Sequence, residues 1–201
     1  MVSKSDVIRA AKKELRRTAA ERRDGLPVET SRSAAGCLCR HADVLTALAG
    51  GNVIVSSYRA MGSEIDPELL EAKLRADTIT TALPVITQLG QPLAFHSWQP
   101  GDPLVPRKWG ILEPEASAPK VEPDILLLPM LAFDRFGWRL GYGGGFYDRT
   151  LAQLRARKPI IVIGLAFCEQ EVDAVAHDAY DEPLDFVLTP KGLRPFMPSD
   201  P

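Results

Sequence analysis

The sequence is poor in the features that most directly name a chemistry. It has three cysteines in 201 residues, Cys37, Cys39 and Cys168, and no Cys-x-x-Cys pair. An odd, scattered set excludes a disulfide framework and a zinc site of the usual spacing, so the thiols are expected to be reduced and mostly buried. His41, His96 and His177 have neither the spacing of a metal set nor that of a catalytic triad. No apolar run approaches the ~18 residues that cross a bilayer. The first residues also lack the charged-then-apolar layout of a secretory leader, so the expectation is a cytoplasmic chain with no membrane partner. A net charge of −2 argues against a protein built to coat nucleic acid.

What is present is an ordinary globular balance, 45% apolar and 25% charged, enough for one α/β domain over residues 1–201 with no internal repeat. Charge is uneven, however. Residues 1–23 carry eight basic and three acidic groups, a net of +5. Ile8, Ala11, Leu15 and Ala19 recur at steps of three and four, which predicts a helix with a narrow apolar face. Lys12 and Arg16 project together beside it. Taken alone, such a run is more often a solvated surface than a ligand site, and its acids and packing stripe argue for folded structure over a transit peptide.

Gly25-Leu26-Pro27 ends this helix, and a second is predicted from Val28 to Leu48, followed by a Gly50-Gly51 turn. NVIVSSY reads as a buried strand, and Asp66-Pro67 opens a helix to about Ala76 with a capping side chain and a proline at the first helical position. TITTALPVI and PLAFHSW are expected strands. Six prolines between Gln99 and Pro123 predict a long irregular crossing. DILLLPMLAF, from Asp124 to Phe133, is the expected central strand, PIIVIGLAF another, and DFVLTP the last. Strands alternating with helices and carrying continuous apolar runs predict a three-layer α/β fold, a mainly parallel sheet with helices on both faces.

Between the central strand and the helix expected from Phe146 lies RLGYGGGFYD, residues 139–148, with four glycines in five positions. This order puts the glycines at the C-terminal edge of the sheet and at a helix N-terminus, where N–H groups are free and the local field is positive. Glycine removes the Cβ that would hold phosphate oxygens away, so the pattern points to an anionic ligand, most simply a phosphate chain. It is neither of the common phosphate loops. No Lys-Ser or Lys-Thr follows the glycines, and counting G-x-G-x-x-G from Gly141 and Gly143 ends on Phe146.

The longer stretch LLLPMLAFDRFGWRLGYGGGFYDR resembles the signature of the 5-formyltetrahydrofolate cyclo-ligases, also called 5,10-methenyltetrahydrofolate synthetases, with Phe146 where tyrosine is commoner. Further matches follow in chain order: Lys12 and Arg16 in KKELR, Glu64 in MGSEID, Gly110 to Pro114 preceded by Trp109, and Asp181 and Asp185 in DEPLDFVLTP. The resemblance implies a sheet like those of sugar-phosphate isomerases and CoA-transferases. It also implies a monomeric enzyme of one-carbon metabolism whose partners are small molecules, a reduced folate and ATP, with Mg2+ as cofactor. Lys12, Arg16, Arg139, Gly141, Gly143, Gly144, Gly145 and Tyr147 are then the implied ATP site, with Arg139 and Tyr147 at the reacting groups. Glu64, Trp109, Tyr142 and Phe146 would meet the folate, and Asp148 and Asp181 would hold the metal. Each has a plainer alternative: Asp148 as a helix salt bridge, Asp181 as a surface carboxylate, Trp109 as a core anchor. A phosphosugar or nucleotide enzyme on the same sheet, or a non-catalytic folate-binding protein, are the competing functions.

Overall fold

The computed structural model describes residues 3–49 and 53–196, so the expected Gly50-Gly51 turn lies outside the described residues. Along the chain run α1 (Lys4–Asp24), α2 (Val28–Cys39), α3 (Ala42–Ala49), β1 (Ile54–Ser56), α4 (Glu68–Ala76), β2 (Thr80–Val85) and β3 (Ala94–Ser97). They are followed by β4 (Leu104–Pro106), β5 (Leu112–Pro114), β6 (Lys120–Val121), β7 (Ile125–Pro129), β8 (Ala132–Asp134) and β9 (Arg139–Leu140). The remainder is α5 (Phe146–Arg155), β10 (Ile161–Leu165), β11 (Glu171–Val172), β12 (Phe186–Thr189) and β13 (Gly192–Pro195).

Eight strands form the main sheet in the order β13-β12-β10-β7-β1-β2-β3-β6. The inner strands from β12 to β2 pair in parallel, while β13 at one edge and β3 and β6 at the other are antiparallel. Strand β7 shows why its sequence is apolar at every position. Ile125 and Leu127 pack with Leu38, Leu45, Leu70 and Leu74 of α2, α3 and α4, while Leu126 and Leu128 pack with Leu151 and Leu154 of α5. Successive side chains point to opposite faces, so a strand covered on both sides has no polar positions. The three-layer expectation holds.

The expected central strand is nevertheless shorter than its apolar run. It stops at Pro129, which has no N–H for the ladder, and the Met130 carbonyl is taken by Gln170 Nε2 at 2.6 Å and Arg23 Nη1 at 3.3 Å. After this step β8 joins a separate sheet of order β11-β8-β9. The predicted helix over residues 28–48 is also two helices. A turn at Arg40 and His41 divides it and lets Leu38 and Leu45 both reach the same core. The proline-rich crossing is not irregular throughout, since it contains the antiparallel β4–β5 pair and the edge strand β6. Along α1, only the C-terminal part of the predicted stripe packs well: Leu15, Ala19 and Ala20 meet Leu131, Ala132 and Leu140, whereas Ala11 is exposed. The three cysteines are free and half-buried rather than fully enclosed.

The two ends of the parallel strands differ. At the N-terminal end, Asp124 accepts the Ile54 N–H at 2.9 Å and Lys158 Nζ at 2.7 Å, and Asp185 accepts the Val162 N–H at 2.7 Å. Asp185 therefore closes the sheet end remote from the glycine loop. Asp66 accepts the Glu68 N–H at 3.0 Å at the start of α4, although Pro67 stands just before the helix rather than at its first position. The opposite end, where β1, β2 and β7 finish, is left for the loops.

Gly164 in β10 sets a packing limit, because a Cβ there would lie 1.9 Å from Met130 Cε and 2.9 Å from Leu184 Cδ1. Gly164→Ala is expected to destabilise the fold by about 1–3 kcal/mol through overpacking, read as a lower urea midpoint with an unchanged slope.

Candidate active site

A cleft of about 830 Å3 opens at the C-terminal ends of β1, β2 and β7. Lys12 and Arg16 reach it from α1, Glu64 from the turn after β1, and Trp109 from the β4–β5 hairpin; Arg139 and the segment Gly141 to Asp148 form its floor and one wall, and Asp181 closes one side. Every residue singled out in the sequence as a site candidate lines this one cavity.

The glycine wall is braced by two arginines that themselves line the cleft. Arg16 Nε donates to the Gly141 carbonyl at 2.9 Å, and Arg149 Nη2 donates to the Gly144 carbonyl at 2.5 Å. Gly143 has φ +96°, and a Cβ there would lie 3.2 Å from the Arg16 guanidinium carbon. Gly145, at φ +63°, precedes α5. Only glycine takes such angles cheaply, and here it also lets a guanidinium lie flat on the chain. Among the described residues no backbone N–H from Tyr142 to Asp148 donates a hydrogen bond. Seven successive donors, the last three of them at the N-terminus of α5, are therefore without a protein acceptor.

Arg139 is buried at the foot of this wall. Its Nη2 donates to Asp148 Oδ1 at 2.6 Å and its Nη1 to the Glu182 carbonyl. Burial draws the guanidinium below its ordinary pKa, and Asp148 and Asp181 oppose that shift. Lys12 Nζ meets Asp181 Oδ2 at 2.5 Å and Asp178 Oδ2 at 3.8 Å. Asp148 and Asp181 thus each use one oxygen on a cation; Asp148 Oδ2 and Asp181 Oδ1 accept nothing among the described residues. Among the described residues no group of three or more His, Cys, Asp or Glu side chains could enclose a metal. Two carboxylates with a free oxygen each fit a Mg2+ ion whose remaining ligands are phosphate oxygens and water.

The facing wall is of another kind. Glu64 is buried, with Oε2 accepting the Met61 N–H at 2.8 Å and Oε1 accepting the Tyr142 hydroxyl at 2.6 Å. Burial raises the Glu64 pKa; the Tyr142 and Met61 hydrogen bonds and the Arg23 charge pull against it. The Tyr142 hydroxyl is raised by burial and by Glu64, although almost half the residue's surface is open. The Tyr147 phenol is raised by burial and by the Glu64 charge. Trp109 is 62% exposed, which ends its alternative as a core anchor; it meets Phe146 edge to face, with centroids 6.2 Å apart.

Several residues in the cleft or supporting it from outside were not foreseen. Arg23 donates to Ser63 Oγ at 2.9 Å, and its guanidinium lies 5.7 Å from the Tyr142 ring centroid. It sits seven residues after Arg16, on the same side of α1, and that spacing could have revealed it. Arg149 follows the Tyr-Asp pair directly, and Glu113 lies inside the Gly110 to Pro114 match. Tyr58, Arg59, Asp178 and Tyr180 also line the cavity, without any local signal to mark them.

Fold and cleft together define an α/β enzyme of small molecules, with an anion seat on one wall and a carboxyl and aromatic surface opposite. The chain belongs to the 5-formyltetrahydrofolate cyclo-ligase family, whose sequence model matches residues 8–190, and it is therefore a ligase. It is 35% identical over 139 residues to the 5-formyltetrahydrofolate cyclo-ligase of Haemophilus influenzae, covering 67% of this chain and 74% of that one. With the Escherichia coli protein of the same name it shares 35% over 141 residues, 68% and 77% of the two chains. Among solved structures, 5,10-methenyltetrahydrofolate synthetase of Aquifex aeolicus superposes with a TM-score of 0.77 at 25% identity over 94% of this chain and 95% of that one. The Mycoplasma pneumoniae synthetase gives 0.71 at 20% identity over 89% and 98%, a likeness of fold. The resemblance read from the glycine motif is borne out.

The raised Glu64 pKa has a consequence for stability. Above the ordinary value of 4.5 the native state still holds a proton that the unfolded chain has released, so stability falls as pH rises from there through the raised value. Glu64→Gln should flatten that part of the curve; unfolding free energies in urea between pH 4 and 7 that decline equally in both proteins would contradict it.

Proposed function

We propose that this cleft carries 5-formyltetrahydrofolate and ATP to 5,10-methenyltetrahydrofolate, ADP and phosphate. The observation that carries the reading is the run of seven unpartnered N–H groups from Tyr142 to Asp148, set beside Lys12, Arg16 and Arg139 and opposite Glu64. A terminal phosphoryl group resting on that run lies in the same cavity as a ring held on the other wall.

The chemistry asks for alignment more than for covalent help. The N5-formyl group is an amide, and its carbonyl resists a weak aryl amine. Transfer of the γ-phosphoryl to the formyl oxygen releases ADP and makes that oxygen a leaving group. N10 then attacks the formyl carbon and gives up its proton, the C–O bond breaks with its electron pair leaving on phosphate, and the ring closes. Lys12, Arg16 and the N–H groups of Gly141, Gly143, Gly144 and Gly145 take the phosphate chain, and the fixed fork of Arg139 stabilises charge on the moving phosphoryl. Asp148 and Asp181 would hold Mg2+, which supplies neutralisation of the phosphate oxygens. Glu64 and the Tyr142 hydroxyl offer polar contacts to the folate, while Trp109, Phe146 and Tyr147 offer ring faces. Holding both substrates in one small cavity supplies much of the rate.

Purified protein given 5-formyltetrahydrofolate and Mg-ATP should produce methenyl-folate absorbance and ADP in equal amounts; folate binding without turnover would support a storage protein instead. Asp148→Asn should lower turnover by about 10²-fold or more and leave folate binding nearly unchanged. A fully active variant would remove Asp148 from the chemistry.

A further inference from the structure

The cleft contains a second buried carboxyl that the proposed chemistry leaves unused. Glu113 of β5 is 2% exposed and lines the apolar part of the cavity with Pro84, Ile86, Leu93 and Ile111. Its Oε1 accepts the Ile86 N–H at 3.2 Å, and among the described residues Oε2 accepts nothing. Arg107 and His96 are the charged or titratable groups that act on it, and neither makes an ion pair with it. Burial raises its pKa. A carboxyl kept in such surroundings with one oxygen idle costs stability unless something else supplies donors. Glu64 differs, because both of its oxygens already accept a protein hydrogen bond.

Two features narrow what the donor is. An acidic group would be repelled by Glu113, so the substrate end bearing carboxylates does not sit there. The neighbouring side chains are apolar, which suits a flat ring whose faces are greasy and whose edge is polar.

We propose that Glu113 is a specificity-determining residue that accepts two adjacent N–H donors, a ring amide N–H and an exocyclic amino group, on the edge of the substrate's pterin. The inference rests on the folate reading above and adds to it the orientation of the ring. A carboxylate facing two parallel N–H donors forms the paired contact that also joins carboxylates to guanidinium groups. Glu64 and Tyr142 are then free for the part of the ring system nearer the glycine wall.

The test combines a protein change with a ligand change. Glu113→Gln should weaken binding of 5-formyltetrahydrofolate, followed by fluorescence without ATP, by at least about tenfold, while ATP affinity stays within about twofold of the wild type. Wild-type protein should bind the parent folate at least about tenfold more tightly than its 2-desamino analogue, and Glu113→Gln should lose most of that preference. Equal binding of the two folates by the wild type overturns the proposal even if the variant fails to fold. So does a variant that keeps the full preference, or one that loses ATP affinity as much as folate affinity, since Glu113 would then be structural. The folate reading itself fails separately, if wild-type protein forms no methenyl product.

Discussion

Two arginines grip carbonyl oxygens of the glycine loop, Arg16 at Gly141 and Arg149 at Gly144, and the geometry of the cleft follows from that grip. A loop with so little side chain would otherwise be free to fold its N–H groups onto its own carbonyls, as turns do. With two carbonyls occupied by guanidinium groups and Gly143 and Gly145 in left-handed conformations, the N–H groups remain without protein partners. Unpaired peptide donors are tolerated where a ligand or water can reach them, which confines such a loop to a cavity wall. The glycines are thus needed twice: once for their dihedral angles, and once so that a flat cation can lie against the chain.

The layered sheet was legible because its signal is strong and local. Apolar runs without alternation, separated by helical periodicity, have few physical solutions, and β7, β10 and α5 begin within two residues of where the pattern puts them. Legibility ended where tertiary contacts decide. LLLPMLAF reads as one strand on hydrophobicity alone, yet Pro129 has no ladder donor, and the carbonyl after it is claimed by Arg23 and Gln170 from distant parts of the chain. The proline-rich crossing hides the β4–β5 pair because strands of three residues, two of them bounded by proline, carry almost no periodicity.

The candidate site divides in the same way. The half around the glycine wall is written in consecutive residues, Arg139 to Asp148, with Lys12 and Arg16 one helical turn apart. The other half is assembled from single side chains on separate elements: Glu64, Trp109, Glu113, and the apolar residues of β2 and the turn after it. Glu64 and Trp109 could be named only through their place in a family pattern. Arg23 and Glu113 were passed over because a buried charge looks, in a sequence, like any other charged residue.

Helix α1 serves the cleft at two places, directly from its middle and indirectly from its C-terminal end. Near its middle Lys12 and Arg16 attend the glycine wall, and two turns later Arg23 holds Ser63, the neighbour of Glu64, while Asp24 accepts the same serine hydroxyl. A helix is stiff along its axis, so a shift at one of these places is carried to the other. On the proposed reading, with a nucleotide at the glycine wall and a ring compound opposite, one helix bears on both occupants, and any coupling it carries acts with the same free energy in each direction.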